Sequence, residues 1–315
     1  MATRRTPRWI CAVLIGCALL VAVPTTARAD TPRPVSVLSA PVQFAAVGGA
    51  TLGYREAGSG RPLVLIAGSS NTMAEWDPRL LGELAATRRV IVFDNRGAGT
   101  STGDVTALTI ELMARDTAQL IAQVAGGRAD VLGWSMGGFV AQELAIRHPE
   151  SVRRLVLAST DCGGPDTAGP TPRALRVLTD SDATTAQRMS ILFPRDRQGA
   201  AAAWMAAVGE AYAAGGYQPE NAFDVSPATA KAQVKAAGPL WLAKGRGTCD
   251  RIDRITAPTL IAAGRKDVVV PVANHRALRQ GIAVSTSVTY RDAGHAFLFQ
   301  PGLRFGRTVS DFLSR

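Results

Sequence analysis

Residues 129–138 read Ala-Asp-Val-Leu-Gly-Trp-Ser-Met-Gly-Gly, and this stretch decides the fold. A short apolar run ends in the pattern G-x-S-x-G, and small residues follow it. This order predicts a buried strand, a sharp turn and a helix, with the serine at the top of the turn. Because a serine on such a strained turn is exposed for attack on a substrate, we expect Ser135 to be a nucleophile.

Apolar runs and helical stretches alternate on both sides of this turn. We expect strands at residues 50–56, 62–66, 89–93, 129–133, 152–158, 259–263 and 284–290. We expect helices at residues 77–86, 109–124, 136–147, 271–280 and 303–313. This alternation is typical of the α/β class, with a mostly parallel sheet between two layers of helices. With an antiparallel entry through the Gly48-Gly49 turn, the sheet should contain about eight strands.

The alternation breaks between residues 164 and 247, where Ala, Pro and Gly are frequent and the apolar residues have helical spacing. The aromatic and long apolar side chains of this stretch favour packing over disorder. We therefore predict a helical cap at 164–247, inserted after the sixth strand. The core domain would then consist of residues 30–163 and 248–315.

A serine hydroxyl needs a base to take its proton, and the chain contains three histidines. His148 precedes Pro149 at a predicted helix end, which is typical of a helix cap. His275 lies on what we interpret as a surface face of a helix. His295 follows the last predicted strand, at the edge where the carboxyl ends of parallel strands meet, and we expect it to be the general base.

The imidazole needs an acceptor for its second nitrogen, because that contact fixes the tautomer and stabilises the imidazolium. Asp267 follows the strand predicted at 259–263 and therefore lies at the same edge of the sheet. The chain order Ser135, Asp267, His295 is the Ser-acid-His order typical of a nucleophile held on a strand-to-helix turn. Asp161 is the rival acid, since it follows the strand predicted at 152–158.

A tetrahedral intermediate also needs backbone donors for its oxyanion. One donor should be the N–H of Met136, directly after the nucleophile. The other should come from the loop that follows the strand at 62–66, which reads Ala67-Gly68-Ser69-Ser70. We expect the N–H of Ser69 to be this donor and hold Ser70 in reserve.

The chain resembles the α/β-hydrolase superfamily, in its capped branch of esterase-, lactonase- and cofactor-free haloperoxidase-like proteins. The resemblance rests on residues 133–138, on Phe-Asp-Asn-Arg-Gly-Ala-Gly at 93–99, on His-Pro-Glu at 148–150 and on Gly-His-Ala-Phe at 294–297. It covers nearly all of the chain after residue 29. One departure is visible at the oxyanion loop, where relatives usually carry His-Gly and this chain has Ala67-Gly68.

The resemblance implies hydrolysis of an ester-like bond through Ser135, His295 and Asp267, with no metal or organic cofactor. The cap would form the roof of the substrate pocket, and its candidate lining residues Phe193, Trp204, Met205, Tyr212 and Trp241 would favour a small or medium apolar acyl or alcohol group. The same three residues also serve lactones, thioesters, amides, carbon–carbon bonds and peracid formation. A haloperoxidase- or perhydrolase-like activity and a non-catalytic binding protein on the same fold are the alternatives.

The first 29 residues have the pattern of a secretory signal peptide. Three arginines precede an apolar run at residues 9–23, and the small-residue triplet Ala27-Arg28-Ala29 follows. The run is shorter than a membrane span, so we expect cleavage after Ala29 and export to the cell envelope or the medium. Leu-Ile-Gly-Cys at 14–17 resembles a lipobox, and a lipid anchor at Cys17 is the alternative.

Without residues 1–29 the chain keeps 31 basic and 25 acidic residues, a net charge of +6. The sequence contains no basic block, so a nucleic-acid partner has little support. The expected partner is a small-molecule substrate. Cys162 and Cys249 flank the predicted cap, and an oxidising compartment would permit a disulfide between them, with two separate thiols as the alternative.

Overall fold

A computed structural model describes residues 36–180, 182–215, 219–241 and 247–315, without the side chains of 239–241. The predicted signal peptide, Cys17 and the Trp241 side chain lie outside the described residues. The strands are β1 Gln43–Val47, β2 Ala50–Ala57, β3 Pro62–Ile66, β4 Arg89–Phe93, β5 Ala129–Trp134, β6 Val152–Ala158, β7 Thr259–Gly264 and β8 Ser285–Tyr290. The helices are α1 Pro78–Ala85, α2 Ile110–Val124, α3 Met136–Arg147, α4 Pro172–Thr179, α5 Thr185–Leu192, α6 Gln198–Ala214, α7 Pro227–Trp241, α8 His275–Gly281 and α9 Phe305–Ser314.

The eight strands form one sheet in the order β1-β2-β4-β3-β5-β6-β7-β8. β2 runs antiparallel to both of its neighbours, and every other pair from β4 to β8 is parallel. The predicted mostly parallel sheet of about eight strands is therefore confirmed. Because all parallel strands end at one edge, the loops after β3, β5, β6, β7 and β8 meet there.

The central strands are apolar on both faces because helices cover both sides of the sheet. In β3, Leu63 and Leu65 pack on one side while Val64 and Ile66 pack on the other, and all four are fully buried. α1 and α9 pack on the first side, and α2, α3 and α8 pack on the second. This two-sided burial is the reason why the strands appear in the sequence as continuous apolar runs.

Four helices, α4 to α7, lie between β6 and β7, where the cap is predicted. Trp204 of α6 is buried and stacks on Phe299, with ring centroids 4.7 Å apart. Its indole N–H donates to the carbonyl of Glu75 at 3.0 Å. In the segment of the cap before α7, the carbonyl of Asp224 accepts the N–H of Gly99 of the core at 2.7 Å. α6 and the segment before α7 both attach the cap to the core.

The structure places Cys162 and Cys249 as a disulfide pair at the two stems of the cap, with their Cα atoms 4.8 Å apart. Thr248 supports the same junction, since its N–H donates to the carbonyl of Cys162 at 2.6 Å. A cross-link that closes a loop of 87 residues stabilises a fold by about 4.6 kcal/mol in the chain-entropy treatment. The pair therefore clamps the base of the cap.

Among the described residues, no helix is long and apolar enough to cross a membrane.

Candidate active site

Ser135 lies on the turn between β5 and α3, with the left-handed backbone angle φ of +56°. A non-glycine residue adopts this angle only where the surrounding structure enforces it. Gly133 and Gly137 allow the turn, because a Cβ on Gly133 would overlap the carbonyl of Gly137 and a Cβ on Gly137 would overlap the carbonyl of Ile66. The sequence after the strand thus folds into the sharp turn that the G-x-S-x-G pattern predicts.

The structure brings the three predicted residues of the relay together. The Oγ of Ser135 lies 2.9 Å from Nε2 of His295. The Nδ1 of the same ring lies 2.8 Å from Oδ2 of Asp267. All three side chains are buried, and their residues are 5%, 2% and 6% exposed respectively. A hydroxyl, an imidazole and a carboxylate in this order can move a proton from the serine to the ring and stabilise the charge that results.

Asp267 uses its two carboxylate oxygens for different purposes. Oδ1 accepts the backbone N–H groups of Val269 and Val270, each at 2.8 Å. Oδ2 is directed at His295. The contacts with the turn therefore fix the carboxylate so that its second oxygen faces the imidazole. In this orientation Asp267 can hold the ring of His295 in place.

Asp161, the rival acid, lies at the same edge but has other partners. Its Oδ1 accepts the N–H of Gly163 at 2.9 Å, and its Oδ2 lies 3.5 Å from the amide nitrogen of Asn274. Burial raises the pKa of Asp161 to about 7, and the nearby charge of Asp267 adds to the rise. Neither of these contacts involves His295, whose Nδ1 faces Asp267 instead, so the structure does not place Asp161 as the acid behind the imidazole.

The loop that carries His295 is held on two sides. The indole N–H of Trp134, the residue before the serine, donates to the carbonyl of His295 at 3.2 Å. From the cap, the carbonyl of Leu192 accepts the N–H of Ala296 at 3.0 Å. The imidazole is therefore positioned by the nucleophile strand and by the end of α5 together.

The interpretation of His275 as a surface residue is wrong. His275 is only 6% exposed, and it lies close enough to Asp267 for that charge to act on its ring. Burial lowers its pKa to about 4, so the ring is neutral at pH 7. His148 does stand at the end of α3, as its position before Pro149 predicts.

The G-x-S-x-G pattern occurs a second time in the chain, at residues 99–103, in a different structural context. Residues 99–103 lie outside the strands and helices of the structure. The hydroxyl of Ser101 donates to the carbonyl of Asp94 at 2.7 Å and accepts the N–H of Gly53 at 2.9 Å. This serine therefore has a structural role, and the strand-to-helix context is what distinguishes Ser135.

The loop after β3 runs beside the serine. A Cβ placed on Gly68 would lie only 3.4 Å from the Cβ of Ser135. The N–H of Ser70, the reserve donor, is already bound, since it donates to Oε1 of Gln233 at 2.7 Å. The N–H of Ser69 has no hydrogen-bond partner among the described residues. Met136 is the first residue of α3, and the first N–H groups of a helix have no partner within the helix. The N–H groups of Met136 and Ser69 are thus the two candidate donors.

The candidate lining residues of the cap are divided between interior and surface. Phe193 and Trp204 are only 2% and 3% exposed, with ring centroids 6.0 Å apart. Tyr212 packs on Phe223 at 4.9 Å between ring centroids. Met205 is 49% exposed. Packing within the cap and against the core therefore accounts for Phe193, Trp204 and Tyr212, whereas Met205 faces the surface.

Comparisons with known proteins are in line with this geometry. The model of a family described as alpha/beta hydrolase fold matches residues 61–301. A putative carbamate hydrolase, RutD, from Variovorax paradoxus (strain S110) is 29% identical over 260 residues, or 81% of this chain and 92% of that protein. The crystal structure of an enol-lactonase from Burkholderia xenovorans LB400 is similar with a TM-score of 0.67 and 26% identity, over 87% of this chain and 100% of that one.

An alpha/beta hydrolase fold protein from Chitinophaga pinensis is similar in structure with a TM-score of 0.75. It covers 88% of this chain and 98% of its own length at 22% identity. Likeness at this identity concerns the fold alone.

Proposed function

Because the chain belongs to the α/β-hydrolase fold family, and is thus a hydrolytic enzyme of that type, we propose that it cleaves ester-like bonds with Ser135 as the nucleophile. The observation that carries the proposal is the continuous hydrogen-bonded series from Ser135 through His295 to Asp267, at 2.9 Å and 2.8 Å. Each contact is within the range that proton transfer between such groups requires.

In the first half of the reaction, Oγ of Ser135 attacks the substrate carbonyl while Nε2 of His295 takes the hydroxyl proton. The carbonyl oxygen becomes an oxyanion, which the N–H groups of Met136 and Ser69 would bind. When the tetrahedral intermediate collapses, the bond to the leaving group breaks and the imidazolium donates the proton to that group. The product that remains is an acyl ester on Ser135.

In the second half, water replaces the leaving group. His295 removes a proton from the water, and the resulting oxygen attacks the acyl ester. The second intermediate collapses with return of the proton to Oγ of Ser135, so the acid is released and the enzyme is restored. Asp267 stays ionised throughout and stabilises the imidazolium that forms in each half.

The substrate we propose is a small or medium apolar ester or a close analogue of one. The cap packs aromatic side chains on the loops after β3 and β8, and we expect the substrate pocket beneath it to be apolar. The relatives named above are a carbamate hydrolase and an enol-lactonase by description. A lactone is a cyclic ester, so the second description agrees with an ester-like substrate.

A screen of p-nitrophenyl esters by acyl length, with lactones, carbamates and amides alongside, tests the substrate proposal. We expect kcat/KM to be highest for acyl chains of about two to eight carbons and to fall for long chains and for charged acyl groups, because burial of a charge is costly. Equal rates for a charged and an apolar acyl group of the same size would contradict the expected apolar pocket. Absence of hydrolysis across the whole screen, from protein that is shown to be folded, would contradict the proposed activity.

We further propose that the enzyme is exported with cleavage after Ala29, and that Cys162 and Cys249 are bonded in the exported form. The basic, apolar and small-residue order of the first 29 residues supports export, and a disulfide at the stems of the cap would persist only in an oxidising compartment. Mass spectrometry of the native protein tests both points at once. We expect a mature chain that begins at Asp30 and has no free thiol, and a chain that retains residues 1–29 or two alkylatable thiols would contradict the respective point.

A further inference from the structure

The loop that follows β3 contains a residue in an unusual conformation. Ser70 has a φ of +57°, in the left-handed region that favours glycine. Such a conformation persists only where contacts of the folded protein enforce it. One of these contacts comes from the cap, where Oε1 of Gln233 accepts the N–H of Ser70 at 2.7 Å.

Gln233 is fully buried, and the hydrogen bond determines how its amide group faces. Because the backbone N–H of Ser70 is a donor, the side-chain oxygen must point toward it. The amide nitrogen therefore faces away, and it has no hydrogen-bond partner among the described residues. A buried amide gains stability only through the hydrogen bonds that it makes, and for Gln233 that bond is the one from Ser70.

The rest of α7 holds Gln233 against the core. The hydroxyl of Thr229 donates to the carbonyl of Gly97 at 2.9 Å. Thr229 and Gln233 are four residues apart on the helix and thus lie on the same face, one turn from each other. The N–H of Thr229 also bonds to the hydroxyl of Ser226, which fixes the first turn of the helix. Gln233 therefore reaches the loop from a fixed position.

The first residue of this loop, Ala67, has no hydrogen-bonding group in its side chain. The far end of the loop is fixed from the core, since Oδ1 of Asp94 accepts the N–H of Met73 at 2.7 Å. The middle of the loop, at Ser70, is fixed from the cap by Gln233.

We propose that Gln233 is a positioning residue of the cap that sets the oxyanion loop for catalysis. By binding the N–H of Ser70, it holds the loop in the conformation in which the adjacent N–H of Ser69 remains available for the acyl oxygen. The inference depends on the proposed serine hydrolase mechanism and adds a component to it. The cap then has a role in the chemical step, in addition to its role as the roof over the substrate.

Replacement Gln233→Met tests the role, because Met has similar length and apolar bulk but cannot accept the N–H of Ser70. We expect kcat for a good p-nitrophenyl ester to fall by about 10- to 100-fold, less than or similar to the loss of one oxyanion donor. We expect KM to change by less than about threefold, since the contact acts on the transition state. The inhibition constant of an apolar trifluoromethyl ketone, whose adduct places an oxyanion in the same position, should rise by a factor similar to the fall in kcat.

Replacement Gln233→Glu supplies the rescue, because a carboxyl oxygen can still accept the N–H of Ser70. While that carboxyl is protonated, kcat should recover to within about fivefold of the wild-type value. As the pH rises and the carboxyl ionises, its negative charge opposes the oxyanion, so the ratio of variant to wild-type kcat should fall. A merely structural glutamine would not produce this pH-dependent ratio.

Gln187→Met is the matched control. Gln187 also belongs to the cap, and within the described part of the chain its side-chain oxygen accepts only the N–H of Thr184, at the start of its own helix. We expect wild-type kcat from this variant. If Gln233→Met keeps kcat within twofold of wild type, or if the Gln187→Met variant loses as much, the inference fails. A fluorophosphonate separates this failure from failure of the proposed function. If it labels Ser135 in the wild-type enzyme, the serine mechanism stands and only the role of Gln233 is refuted.

Loss of the thermal transition would show that the Gln233→Met variant is unfolded. In that case the Gln233→Glu variant tests whether Gln233 positions the oxyanion loop. A recovered fold with kcat that falls with rising pH relative to wild type supports the inference. A recovered fold with a constant ratio across the pH range overturns it.

Discussion

Replacement Ser135→Ala is expected to lower kcat for a p-nitrophenyl ester by about 10⁶-fold, the magnitude found when a serine hydrolase loses its nucleophile. The reason is that no acyl intermediate can form without the Oγ that lies 2.9 Å from Nε2 of His295. KM should change little, because a methyl group fits where the hydroxyl was. Steady-state rates of the purified variant, with its thermal transition as a check on folding, provide the measurement.

Ser101→Ala is the matched control for that variant. Ser101 lies in the second G-x-S-x-G pattern, but its hydroxyl bonds to the backbone of Asp94 and Gly53. We expect this variant to lose stability by about 1 kcal/mol through the lost hydrogen bonds and to keep most of its kcat. A loss at Ser101 as large as the loss at Ser135 would contradict the assignment of the nucleophile.

Replacement Asp267→Asn is expected to lower kcat by about 10⁴-fold. An amide can still occupy the site, but it no longer stabilises the imidazolium and it favours the wrong tautomer of His295. The loss should appear equally in kcat and in kcat/KM, since the contact matters most in the transition state. Comparison of the two constants for the variant and the wild type is the measurement.

Asp161→Asn is the control that decides between the two acids at this edge. The pKa of Asp161 is raised to about 7 by burial, and its carboxyl bonds to Gly163 and Asn274. A neutral amide should replace such a group with little effect on kcat, within about tenfold. If Asp161→Asn has the 10⁴-fold effect and Asp267→Asn does not, the acid has been assigned to the wrong strand end.

The sequence predicts much of this site because chain order and strand position are local information. Ser135, Asp267 and His295 each follow an apolar run, and parallel strands bring the ends of such runs to one edge. Four predicted ranges, 62–66, 89–93, 136–147 and 152–158, agree with the structure at both ends. Most other predicted ends differ from the structure by one or two residues. The helix predicted at 271–280 is divided in the structure into a short 3₁₀ turn at Val272–Asn274 and α8, which begins at His275.

The contacts of the cap could not be predicted in the same way. Trp204 and Met205 are neighbours in sequence and both are apolar, yet the first is buried on Phe299 and the second is half exposed. Helical spacing alone does not reveal which face will meet the core. The contact of Gln233 with Ser70 joins residues 163 positions apart, and it depends on how α7 packs on the loops.

The burial of His275 could not be predicted from the sequence either. Its spacing in the sequence is that of a surface position, but the structure begins α8 at this residue and packs it beside the Asp267 loop. Its burial depends on how α8 packs in the folded protein, which the spacing of residues in the sequence does not show. The sequence had no pattern that indicated it.

The central claim is that the imidazole of His295, oriented by Asp267, makes the hydroxyl of Ser135 a nucleophile. The most direct test is reaction of the intact, folded protein with a fluorophosphonate probe, followed by identification of the modified peptide by mass spectrometry. We predict one adduct per chain, located on Ser135, and no adduct in Ser135→Ala protein. Failure of the folded wild-type protein to react, or equal labelling of the Ser135→Ala variant, would contradict the account.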